Sequence, residues 1–174
     1  SFSKKSLHLG LLSSFTASKK ALFLFVACLS LLVLVACSSV KTYQKGTMSI
    51  TLPKDFVELN PPDYTVCYNS EDVTVFVLRE SVQNITLAEY AASVYEANAW
   101  LSPDPISELE GLTVMEYSYQ NMPAQTTIRY FATIFQDPSG AFWLIQFSCD
   151  QADYEQYRPL FIEWAHTVSF ENQS

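Results

Sequence analysis

Few side chains in this sequence could do covalent or metal chemistry. There are four cysteines and two histidines in 174 residues. A cysteine nucleophile needs a base beside it, and past the opening stretch the sole histidine is His166. Cys149 with His166 is a conceivable pairing, since the residues between them could bring the two together. The plainer role for His166 is a helix-end residue that favours the negative end of the helix dipole. One histidine with the separated Cys67 and Cys149 does not make a usual zinc site. Asp150, Asp153 and Glu155, and likewise Glu108 and Glu110, lack the glycine-bearing loop that wraps calcium. Gly46, Gly111 and Gly140 suit a tether or turns, so no loop cradles a phosphate. The expectation is no catalytic site, no metal and no cofactor.

The remaining reactive position is Cys37, at the end of Leu34-Val35-Ala36-Cys37. The stretch resembles the lipobox of bacterial lipoproteins: a branched apolar residue, a variable one, a small one, then cysteine. That resemblance implies a diacylglyceryl group on the Cys37 thiol and cleavage after Ala36. The flanks agree. Lys19 and Lys20 form a basic segment, and Ala21 to Ala36 runs 16 residues without a charge, which is a secretory pattern. A permanent span needs about 20 apolar residues, so an uncleaved anchor helix, with Cys37 incidental, is the alternative. Both place the acidic C-terminal portion of the chain outside the cytoplasm. The expected organisation is a removed signal peptide over 1–36, a lipid-anchored polar tether over 37–46 and one domain over 47–174. The expected location is the extracytoplasmic face of the cell membrane.

All 18 acidic residues but only 6 of the 10 basic ones lie beyond residue 36. Such a surface repels nucleic acid, which is excluded as a partner. Cys67 and Cys149 sit in apolar runs of an exported chain. They form either a disulfide closing a long loop or two separate buried thiols.

The elements are read from periodicity. Met48, Ile50 and Leu52 alternate as a strand ending at Pro53. Tyr64–Tyr68 and Val73–Leu78 form a hairpin, and the second strand is apolar on both parities, so its sheet is covered on both faces. Thr86 and Glu89 make a capping box for a helix to about Trp100. Strands over 106–110, 112–120, 126–136 and 141–149 come next, the last three as a meander. Asp150 is the expected N-cap of a final helix carrying Tyr154, Tyr157, Phe161 and Trp164 on one face, with Pro159 expected to kink or split it. Two helices must cover one antiparallel sheet. The expected class is α+β, an α/β/α sandwich with six to seven strands.

Leu52-Pro53 with Phe56, the turn into Phe142-Trp143, and terminal Val168-Ser169-Phe170 resemble the Mog1/PsbP-like superfamily over roughly residues 47–171. That resemblance implies the sandwich and many small bacterial lipoproteins as company. The superfamily's named members do unlike things, one group supporting the photosynthetic oxygen-evolving complex and another binding a small GTPase. No functional residue carries over. The many strand aromatics, among them Tyr117, Tyr119, Tyr130 and Phe147, are core, a ligand groove where a helix leaves the sheet bare, or a partner patch. The functional expectation is a non-catalytic accessory lipoprotein that binds an unknown envelope protein; the alternative is a small-ligand or cation-binding lipoprotein.

Overall fold

The computed structural model describes residues 39–171. Leu34, Val35, Ala36 and Cys37, with the rest of the expected signal peptide, lie outside the described residues. The strands before the first helix are β1 (Val40–Lys45), β2 (Met48–Pro53), β3 (Val57–Leu59), β4 (Val66–Asn69) and β5 (Thr74–Glu80). Helix α1 (Leu87–Ala97) and a 3₁₀ turn (Ala99–Leu101) lead to β6 (Ser107–Leu109), β7 (Leu112–Asn121), β8 (Thr126–Gln136) and β9 (Phe142–Asp150). Helix α2 (Tyr154–His166) and β10 (Ser169–Phe170) close the chain. Seven strands form an antiparallel sheet in the order β3-β4-β5-β9-β8-β7-β6, and β1-β2-β10 form a smaller one.

Register decides which side chains share a face. Cys67, Phe76, Gln146, Ala132 and Met115 stand in one row across the sheet, and Tyr68, Val75, Phe147, Phe131 and Glu116 in the next. Adjacent rows point to opposite faces. The second row is buried under α2, where Phe161 and Trp164 meet Phe131 and Phe147. The first row faces α1, whose Tyr90 stacks on Phe142 with ring centroids 4.3 Å apart. Helix α1 starts where its capping box predicts: the Glu89 N–H donates to Thr86 Oγ1 (3.2 Å) and the Thr86 N–H to Glu89 Oε2 (2.7 Å).

Four expectations change. The stretch read as a polar tether contains β1, so the sheet reaches back to Val40. Its polar residues hide the strand, since Tyr43 alone is buried in it, with its hydroxyl donating to the Phe56 carbonyl at 2.6 Å. Val57–Leu59, outside every strand expected from periodicity, is an exposed edge strand, β3. Asp150 ends β9 rather than capping α2; its carboxylate accepts from the Ala152 N–H, and Asp153 takes the cap position. Finally, α2 runs uninterrupted through Pro159. Pro159 and Glu155, whose carbonyl loses its donor, are on the exposed side, where water can replace the missing bond.

Candidate functional site

The residues that sequence singled out for chemistry are not gathered together. Cys67 and Cys149 are free, buried thiols. They project from opposite faces of the sheet, with β5 between their strands, and a disulfide needs Cα atoms within about 7 Å. The expected alternative, two separate buried thiols, describes them. Burial pushes both thiols up, Cys149 to about 11 with help from the charges of Asp153, Asp150 and Asp72. Cys149 also lies just before α2, whereas His166 ends it. A helix of that length separates them by roughly 18 Å, and His166 instead faces Glu110, Nε2 to Oε2 3.4 Å. Among the described residues no group of three or more His, Cys, Asp or Glu converges to hold a metal. In the native chain, Cys67 and Cys149 are expected to resist a thiol alkylating reagent, and each should gain one label after denaturation without reductant. Peptide mass spectrometry reads this, and a crosslinked Cys67–Cys149 pair would contradict it.

What the fold does build is an aromatic cleft on the α1 face. Helix α1 ends at Ala97, and the 3₁₀ turn carries Trp100 and Leu101 onward over the sheet. The helix covers Phe142, Leu144 and Ile134 but leaves bare the strand positions beyond them. The result is a hollow of about 440 Å³. Tyr117 and Tyr130, directly opposite across β7 and β8, form its floor as stacked rings 4.8 Å apart at 7°. Tyr130 touches Phe76 (6.3 Å), which meets Tyr64 at the other wall (4.9 Å). At the mouth, Trp100 stands edge-to-face on Tyr119 at 6.4 Å and remains 71% exposed.

The polar groups of the cleft are few. The Tyr117 hydroxyl donates to Gln146 Oε1. Asn98 Nδ2 donates to the Val94 carbonyl (2.8 Å), which leaves its own oxygen free to accept. Burial raises the pKa of Tyr64, Tyr117 and Tyr130, so all three are neutral phenols at physiological pH. Among the described lining residues Asp63 is the single acidic one, and no basic residue lies with it. The cleft offers ring faces, acceptors and one carboxylate, which are means of binding. Sequence reasoning named Tyr117, Tyr119 and Tyr130 but missed Tyr64, Trp100, Asp63, Asn98 and Gln146. The signal available was the alternation that puts Tyr117 and Tyr119 on one face of β7.

A second hollow, about 420 Å³, is lined by Lys45, Arg79 and Trp143. Its cations are already engaged. Lys45 Nζ lies 3.2 Å from Glu58 and 2.7 Å from Asn60, and Arg79 lies over Trp143 with Nε 3.8 Å from Asp137. It reads as structure rather than as an anion site. No described helix is long and apolar enough to cross a membrane.

No family model matches the sequence, and no curated protein does. The fold is similar to the solution structure of cyanobacterial PsbP (CyanoP) from Synechocystis sp. PCC 6803, with a TM-score of 0.52 at 11% identity. That likeness covers 77% of this chain and 94% of the cyanobacterial one. At such identity it speaks to architecture alone: this chain has a PsbP-like α+β fold.

Proposed function

We propose that the protein is a lipid-anchored, extracytoplasmic accessory domain that binds an envelope protein through the aromatic cleft and performs no catalysis. The observation that carries the binding role is Trp100, 71% exposed at the mouth of a tyrosine-floored hollow. An exposed indole beside other aromatics is the chemistry of an interface anchor. The lipid role rests on Leu34-Val35-Ala36-Cys37. A small-ligand role is the second reading, supported by the volume of the cleft. A stoichiometric adduct in native mass spectrometry of the protein from its own host would favour it.

Two experiments test the proposal. Cells fed a radiolabelled fatty acid should label the wild-type chain, and Cys37→Ser should abolish both the label and the cleavage. Equal labelling of the variant would refute lipidation at this site. A photo-crosslinking residue at Leu101, on the rim, should capture one protein in native membranes. The same group at Gln156, exposed on α2 across the sheet, should not. Equal capture from both positions would refute the cleft as the working surface.

A further inference from the structure

Resting on that reading of the cleft, we infer that its occupant presents a cation: an arginine or lysine side chain from a basic segment of the partner protein. Charge complementarity is the first argument. The described residues hold 18 acidic side chains against 6 basic ones, an excess that steers basic partners toward the surface. None of the six basic residues lines the cleft, and Asp63 does.

The second argument comes from how this chain uses its own cations. Four of the six lie over aromatic rings: Lys41 over Tyr43 (4.6 Å), Arg79 over Trp143 (5.6 Å), Arg129 over Tyr154 (5.4 Å) and Arg158 over Phe131 (5.8 Å). The most exposed indole of the described residues, Trp100, has no such cation, nor do the tyrosines beneath it. Tryptophan is the strongest ring partner for a cation. Around it stand acceptors suited to a guanidinium or ammonium: the Asp63 carboxylate, the Asn98 oxygen and neutral phenols. An anionic ligand would find no counter-charge here. A second copy of the chain would bring the same acidic excess.

The test uses the full-length protein in detergent micelles and a tryptophan-free peptide, Gly-Ser-Arg-Gly-Arg-Ser-Gly. Its control carries citrulline, the uncharged isostere, at both arginine positions. Trp100 emission reports binding, because Trp143 and Trp164 are buried. Saturable binding of the arginine peptide is expected, with the citrulline peptide weaker by about tenfold. Trp100→Ala and Asp63→Asn, read by calorimetry, should each weaken the arginine peptide by a similar factor. Glu163→Gln, an exposed acid on α2, should leave it unchanged. Equal losses from Asp63→Asn and Glu163→Gln would show diffuse charge attraction and overturn the inference. Equal binding of both peptides, preferential binding of a neutral oligosaccharide such as maltohexaose, self-association in place of peptide binding, or no binding would each overturn it as well. If lipid labelling and the Leu101 crosslink survive such a result, the accessory role stands and only the cationic occupant falls.

Discussion

Phe161→Ala is expected to lower the stability of the domain by about 4 kcal/mol, the range for a truncated buried phenylalanine. Phe161 is completely buried and is the hub between α2 and the sheet. Its ring stacks on Phe147 at 5.4 Å and on Tyr157 at 6.0 Å, and meets Phe131, Tyr154 and Trp164 within 6.4 Å. Alanine removes six ring carbons from the middle of that cluster. The surrounding rings are themselves rigid and cannot collapse into the hole. Phe161→Leu keeps most of the volume and should cost under about 2 kcal/mol. Urea unfolding, followed by tryptophan fluorescence, measures both. A loss below about 1 kcal/mol for alanine would mean that the α2 layer is loosely packed. Native-like peptide binding by the folded fraction is expected, because the cleft is on the other face.

Asp137→Ala is expected to have the second large effect, about 3 kcal/mol, from the donors it leaves unpaired. Asp137 is 5% exposed at the turn between β8 and β9. One oxygen accepts from the Ser139 N–H (2.8 Å) and the Ala141 N–H (3.1 Å); the other accepts from Trp143 Nε1 (2.9 Å). Burial by itself would raise this carboxyl, but the donors from Ser139, Trp143 and Ala141 outweigh it and hold the pKa below the usual aspartate value. A depressed folded-state pKa contributes stability above the ordinary carboxyl range, lost as pH falls through the folded value. Glu116 behaves alike: burial opposes ionisation, and Arg158 (Nη2 to Oε1 2.7 Å) and Tyr154 overcome it. The wild-type domain should therefore weaken in acid. The gap between wild type and Asp137→Ala should narrow as pH drops below about 4. Thermal unfolding across that interval checks it; a gap constant with pH would mean that Asp137 acts through packing alone.

Both helices and the long strands were legible because one physical signal dominated each. The Thr86–Glu89 box and the spacing of Tyr154, Phe161 and Trp164 are local, and the structure keeps them. The two apolar parities of Val73–Leu78 correctly implied two covered faces. They did not show that the cover is unequal: Val75 and Val77 are fully buried on one face, whereas Phe76 and Leu78 on the other are only half-buried. That inequality is the cleft. It depends on where α1 stops, and the run to Trp100 looks helical in sequence although the α-helix ends at Ala97. Strand β1 was illegible for another reason. An edge strand with one buried residue has no alternating pattern, and pairing with β2 rather than burial holds it.

The sheet order sets when the molecule can fold as it leaves the ribosome. The middle of the sheet joins β5 to β9, with Val75 opposite Phe147, and the small sheet joins β2 to β10, with Met48 opposite Phe170. Such sequence-distant pairings must wait for the late partner and are slow to form. No N-terminal fragment that stops short of β9 can pair β5 on its inner side. The two halves of the sheet, β3-β4-β5 and β6-β7-β8, are built of neighbouring strands and can form as local hairpins, but they cannot be joined into one core until β9 has emerged between them.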